Sequence, residues 1–193
     1  MINKNQFYKI RGFKMHKLII GFFMLISFVS VQAQVLNSGM TIKAKSFELG
    51  FAPSVMNDDF GLFIDGGYGL RPGMDLGVKL GFGYPETYFG ADVEFMILRK
   101  SPFLSASAGF HIFGDPGLDA TATFTIPLDP QIHLYTGLDM DLNFNDDKTR
   151  APLWFFLGTE IAVKNNMTVL LEIEAGLNDP AYSIFSGGFS FYL

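Results

Sequence analysis

The chain has 193 residues, enough for one domain, with 14 Lys and Arg against 19 Asp and Glu. Hydrophobic residues make up 49%, with 22 Phe and 21 Gly, and Cys is absent, which excludes a disulfide framework, a thiolate metal site and a lipidated cysteine. The net charge of −5 argues against nucleic acid, which selects basic surfaces.

The first 33 residues read as an export signal. Lys4, Lys9, Arg11, Lys14 and Lys17 precede an apolar run from Leu18 to Val29, and Val31 and Ala33 are small residues before a cut between Ala33 and Gln34. Met15 is an alternative start. The expected mature domain spans residues 34–193. It keeps all 19 acids but loses five bases, so its charge falls to near −10.

From residue 46 onward the dominant pattern is strict alternation. Phe47, Leu49 and Phe51 alternate with Ser46, Glu48 and Gly50; Phe60, Leu62 and Ile64 follow against Gly61 and Asp65. After "RPG" (71–73), Met74, Leu76, Val78, Leu80 and Phe82 oppose Asp75, Gly77, Lys79 and Gly81. After "YPET" (84–87), Phe89, Ala91, Val93, Phe95 and Ile97 oppose Gly90, Asp92 and Glu94. Strands from Leu104 to Ile112 and from Leu118 to Ile126 put Ser105, Ser107, Gly109 and His111, then Asp119, Thr121, Thr123 and Thr125, on the polar face. Ile132 to Asp141 places His133, Tyr135, Asp139 and Asp141 there. Beyond "NFNDDKTRAP" (143–152), Leu153 to Val163 and Met167 to Gly176 add Glu160, Glu172 and Glu174, and a last strand ends "GGFSFYL".

Side chains alternate across a strand, so each segment has an apolar and a polar face. Turn residues separate nearly all of them. About ten strands of about ten residues result, the length a tilted strand needs to cross a bilayer. The apolar face is too bulky for a narrow lumen, whereas the Gly, Ser, Thr and carboxylate face fits inside one. The expected fold is therefore all-β: a closed up-and-down antiparallel transmembrane β-barrel of about ten strands, eight being the smaller alternative.

The chain resembles the small outer-membrane β-barrel proteins of Gram-negative bacteria, over residues 44–193 together with the signal. The most specific element is the final strand, where Phe185, Phe189, Phe191 and Leu193 keep the alternate apolar spacing, with Leu in place of the terminal aromatic. The resemblance implies contact with outer-membrane lipid, insertion by the barrel-assembly machinery and periplasmic termini. It transfers no active site. Residues 52–59, 84–87, 114–117, 143–152 and 178–180 are then expected outside the cell, and 70–73, 99–102, 129–131 and 164–166 in the periplasm. Tyr68, Tyr84, Tyr88, Phe103 and Trp154 are candidates for aromatic girdles, although Tyr88, Phe103 and Trp154 have inward parity.

Chemical motifs are few. The glycines of "GGYGL" and "GFGYPETYFG" have strand spacing and are read as space-makers, not phosphate loops. "NMT" (166–168) matches a glycosylation sequon by chance. His111 and His133 point inward near opposite ends of the barrel, and neither begins a His-x-Ser motif. The pairs Asp92/Glu94, Asp139/Asp141 and Glu172/Glu174 each share a face at roughly 6–7 Å. They are read as parts of a lumen network with no resident metal or other cofactor, since hard-cation sites draw on shaped loops.

The lumen charges are expected in two groups. Lys79 is the one clear inward mid-strand base and should bridge Asp65, Asp92 and Glu94; Glu160, Glu172 and Glu174 form a second group with no base nearby. Glu48, Asp139 and Asp141 complete the network. The expected function is a non-catalytic outer-membrane barrel, structural, adhesive or a narrow cation-preferring pore with an unidentified solute. The alternatives are a soluble secreted lipid-binding barrel and a lipid-modifying barrel enzyme using His111 or His133.

Overall fold

A computed structural model describes residues 39–56, 59–84, 86–145, 148–179 and 181–193. The expected signal and its cleavage point at Ala33 and Gln34 lie outside the described residues. The strands are β1 (Phe47–Met56), β2 (Asp59–Arg71), β3 (Met74–Phe82), β4 (Tyr88–Leu98), β5 (Phe103–Phe113) and β6 (Asp115–Pro127). They continue as β7 (Ile132–Phe144), β8 (Thr149–Arg150), β9 (Leu153–Lys164), β10 (Met167–Gly176) and β11 (Ile184–Tyr192).

Ten of these strands form one antiparallel sheet in chain order that closes on itself. β6 pairs with β7, β7 with β9, and β1 with β11 from Glu48↔Tyr192 to Val55↔Phe185. Phe47 and Leu193 complete the seam by exchanging backbone hydrogen bonds of 3.1 and 2.9 Å. The two-residue β8 pairs only with the end of β7, so the long break at 143–152 is partly an extension of the sheet. β1 and β2 also reach further than the alternation indicated, to Met56 and from Asp59, because Ser54 and Met56 keep the inward parity past Pro53. The break expected at 52–59 is thereby shortened to the two positions between Met56 and Asp59. The shortest connection is Gly114 between β5 and β6, where φ of 68° suits a residue without Cβ.

Alternation sorts the side chains as the pattern requires. Leu49, Val78, Leu80, Phe89, Phe110, Leu118, Leu138, Phe155, Leu171 and Phe189 are exposed on the outside. Ser54, Asp75, Asp119, Thr121, Asp139, Glu172, Glu174 and Ser186 are buried inside. An apolar belt of this extent around a closed sheet is a lipid-facing surface, and a soluble fold would have turned it inward. The barrel is a transmembrane one.

The lumen has no spare width, and glycines create what width there is. A Cβ on Gly158 would strike the ring of Tyr135, which is wholly buried, and one on Gly50 would strike the Asp65 carboxylate. Gly187 on the outer face is different, its nearest neighbour being the flexible Leu171 Cδ2 at 3.1 Å. Gly158→Ala should therefore cost about 1–3 kcal/mol, while Gly187→Ala should be near neutral in urea unfolding from lipid vesicles. Equal effects would mean that the lumen is not tightly packed.

The outer face makes a second prediction. Arg at Leu80 or Val93 should cost about 2–4 kcal/mol where the side chain lies at the bilayer midplane, falling toward the edges. Wild-type refolding of both variants into vesicles would reverse the inside-out assignment of β3 and β4.

Candidate functional site

The interior is charged at mid-height. Asp65 on β2 stands directly opposite Lys79 on β3, and Gly77 stands opposite Asp92 on β4. Gly50 and Gly77 leave the space that the Asp65 and Asp92 carboxylates occupy. The Lys79 ammonium lies in the field of Asp92 and Asp65 and, across the lumen, of Glu172 and Asp139. Thr121 Oγ1 donates a hydrogen bond to Asp139 Oδ1. Asp139, Glu172 and Glu174 are 0%, 1% and 0% exposed, so packed side chains fill this level of the barrel.

This arrangement differs from the two groups read from the sequence. Glu172 does not stand apart from the base, because closure carries β10 round the barrel into the field of the Lys79 ammonium. Glu160 also has a basic neighbour. His133 on β7 is its register partner on β9, with Nδ1 3.7 Å from Glu160 Oε2. Glu94 lies nearer Asp75 and Ser105 than Lys79, and Glu48 lies beside Ser190. Parity gives the face of each residue, but partners across a lumen depend on circumference, which no local pattern records.

Toward the end that carries Lys100 and Lys164, the chain before β1 enters the barrel. Ile42 is buried, and its N–H donates to Asp75 Oδ2 at 2.6 Å. A Cβ on Gly67 would collide with the Ile42 side chain, and one on Gly39 with Thr125. Lys45 N–H bonds the Gly69 carbonyl at 2.7 Å and Gly69 N–H bonds that of Ser46 at 3.0 Å, which secures the segment to β2. Beside it, a cavity of about 90 Å³ is lined by Ile42, Glu48, Asp65, Asp75, Lys79 and Asp92. The first strand read from the sequence begins at Ser46, so residues 39–45 received no place in the barrel, although Met40, Ile42 and Ala44 alternate with Thr41, Lys43 and Lys45.

The opposite mouth is aromatic. Met56, Phe63, Tyr84, Tyr88, Trp154 and Ile184 pack together inside the barrel. Tyr84, Tyr88 and Trp154 are thus lumen residues, not girdle residues, whereas Tyr68 packs outward against Phe47 with ring centroids 4.7 Å apart. Trp154 Nε1 donates to the Tyr182 carbonyl at 2.5 Å, and the hydroxyls of Ser54 and Tyr84 bond each other. A cavity of about 290 Å³ opens there, with His111, Asp141, Asn143, Arg150, Trp154 and Tyr182 among its walls. His111 and His133 lie toward opposite ends, on β5 and β7, and each faces a carboxylate.

No family model and no curated protein sequence matches the chain. Solved structures with the same kind of fold do. The NanC porin is 10% identical over 78% of this chain and 100% of its own, with a TM-score of 0.46. The N-terminal β-barrel domain of Pseudomonas aeruginosa OprF is 13% identical over 79% and 100%, with a TM-score of 0.39. A de novo designed transmembrane β-barrel is 14% identical over 80% and 100%, with a TM-score of 0.43. At these identities the likeness concerns the fold alone.

The mid-lumen charges make a testable pair. Removing Lys79 leaves the lumen carboxylates without the ammonium in whose field they lie, so their mutual repulsion is no longer offset. Lys79→Gln should lower the urea midpoint accordingly, and adding Glu172→Gln should recover part of the loss. Strict additivity of the two changes would show that Lys79 and Glu172 do not interact.

Proposed function

We propose that this protein is an exported, non-catalytic outer-membrane barrel providing a narrow, cation-preferring path whose mid-section is held nearly closed. The observation that carries this reading is the lumen cross-section at Lys79, where one ammonium lies in the field of Asp65, Asp92, Asp139 and Glu172, the last two of them fully buried. Low-dielectric walls focus the field of excess carboxylates, which attracts cations and repels anions. The cavity of about 290 Å³ serves as the vestibule at the aromatic mouth, and the one of about 90 Å³ holds the space beside the Lys79 side chain itself. A wide solute channel is disfavoured by the complete burial of Asp139 and Glu174. The outward apolar belt supports a membrane location, and the expected signal at residues 1–33 supports export to the outer membrane. The charges expected from the sequence, Glu48, Asp65, Lys79, Asp92, Glu94, Asp139, Asp141, Glu160, Glu172 and Glu174, are assigned here to the lining of that path. Phe189, Phe191 and Leu193 on the outer face of the last strand and its end are proposed as the assembly signal.

Planar-bilayer recording in a salt gradient tests the proposal. Conductance should be far below that of an open porin, with a reversal potential of cationic sign. Lys79→Gln should raise both conductance and cation preference. Anion selectivity would overturn the acidic-path reading. Silence of wild type and variant alike would favour a sealed structural barrel.

A further inference from the structure

The lumen wall below the aromatic mouth holds a group of side chains of which the cation path uses only Asp141. His111 on β5, Asp119 on β6 and Asp141 on β7 each offer one ligand atom, and these atoms lie within 4.8 Å of one another. The register explains the meeting, since Gly117 stands opposite both His111 and Asn143, and Asp119 stands opposite Asp141. Gly117 also lets the imidazole lie flat over β6, because a Cβ there would strike the ring. Tyr88 stacks on the other side, with centroids 5.8 Å apart.

The hydrogen bonds orient the ring for coordination. His111 Nε2 donates to Asn143 Oδ1 at 2.6 Å, which leaves Nδ1 directed at Asp119 Oδ1. An outer nitrogen held by an amide oxygen while the inner one faces carboxylates is the support that metal-binding histidines use. Asp119 and Asp141 are 6% and 9% exposed, and Asp119 Oδ2 and Asp141 Oδ1 have no hydrogen-bond partner among the described residues. Buried carboxylate oxygens without a partner call for a cation or a proton. Ligands held about 2.0–2.2 Å from one ion span up to about 4 Å, so small side-chain rotations close the set. Its open side is the 290 Å³ cavity that His111, Asp141 and Asn143 line.

We propose that His111, Asp119 and Asp141 bind one divalent transition-metal ion of the zinc class, with a fourth position open to the mouth cavity. One imidazole and two carboxylates suit such an ion better than calcium or magnesium, which take oxygen ligands throughout. Three protein ligands with one vacant position would let the ion hold a water or an oxygen of a solute entering the barrel.

The test uses the full barrel refolded in detergent, with zinc chloride titrated by calorimetry and cobalt chloride followed by visible absorption. The expected result is one saturable site per chain, a zinc-dependent rise in unfolding temperature and a tetrahedral-type cobalt spectrum. Asp141→Asn and His111→Gln should weaken zinc binding by at least about 10–100-fold, with folding checked by the heat-shifted gel mobility of the barrel. His133→Gln should leave binding unchanged. If His111→Gln fails to fold, Asp141→Asn and the wild-type cobalt spectrum still decide. Absence of saturable zinc binding, equal binding by wild type and Asp141→Asn, loss of binding in His133→Gln, or displacement of zinc by equimolar calcium would each overturn the proposal.

Discussion

Closure of the sheet is the constraint from which the rest follows. In hydrocarbon no water is available to an unpaired N–H or C=O, so an open strand edge is prohibitively costly. The β1–β11 seam removes both edges, and its register from Glu48↔Tyr192 to Val55↔Phe185 sets the circumference. With ten strands, the circumference limits the lumen to a width that side chains can fill. Every residue of inward parity must then share that volume. Small residues at Gly50, Gly77, Gly117 and Gly158 are the consequence, each lying beneath a larger neighbour from an adjacent strand. The outer face has no such limit, and Phe, Leu and Ile crowd there.

The same restriction shapes the electrostatics. Carboxylates placed on an inner face have nowhere to spread, so Asp65, Asp92, Asp139 and Glu172 share the field of the mid-height ammonium of Lys79. Such a cluster does not repay the desolvation of its members as an apolar core would. Its persistence in a chain so rich in Phe and Leu points to a role for lumen charge beyond stability. The ends of the lumen are treated differently. One receives Ile42 and its backbone bond to Asp75, and the other a packed aromatic group around Phe63 and Trp154. The polar middle is thus bounded on both sides by apolar contacts inside the barrel.

How much of this was legible depends on the distance over which each feature is encoded. Strand identity and face are local, and a period of two displays them, as in Met74 to Phe82, where all five apolar residues turn outward. Turns were legible where Gly, Pro or Asn mark them, although Pro53 and Pro116 sit within strands, which shortened two expected loops. Position around the barrel is not local. Lys79 and Glu172 are 93 residues apart, and only the closed circumference makes them neighbours. Tyr84 and residues 39–45 were missed for another reason. Tyr84 lies past the end of the β3 alternation and residues 39–45 lie before the first strand of the sheet, so neither has a paired neighbour from which a face could be read, and their burial follows from the shape of the mouths they occupy.

His111 illustrates how the two scales combine. Parity put it in the lumen, and the shortness of the β5–β6 connection at Gly114 could have suggested that Asp119, eight residues on, returns beside it. Asn143 and Asp141 required the additional step from β6 to β7, whose register is set by the turn at 128–131, where Leu128 N–H bonds the Ile132 carbonyl at 2.8 Å. Asp129 Oδ1 accepts from Gln131 and Ile132 N–H at 2.7 and 2.8 Å and holds that turn. A one-residue slip there would send Asp139 and Asp141 to the lipid face, at a cost far above that of the turn itself. The carboxylates therefore enforce the register, and the register in turn assembles the histidine site.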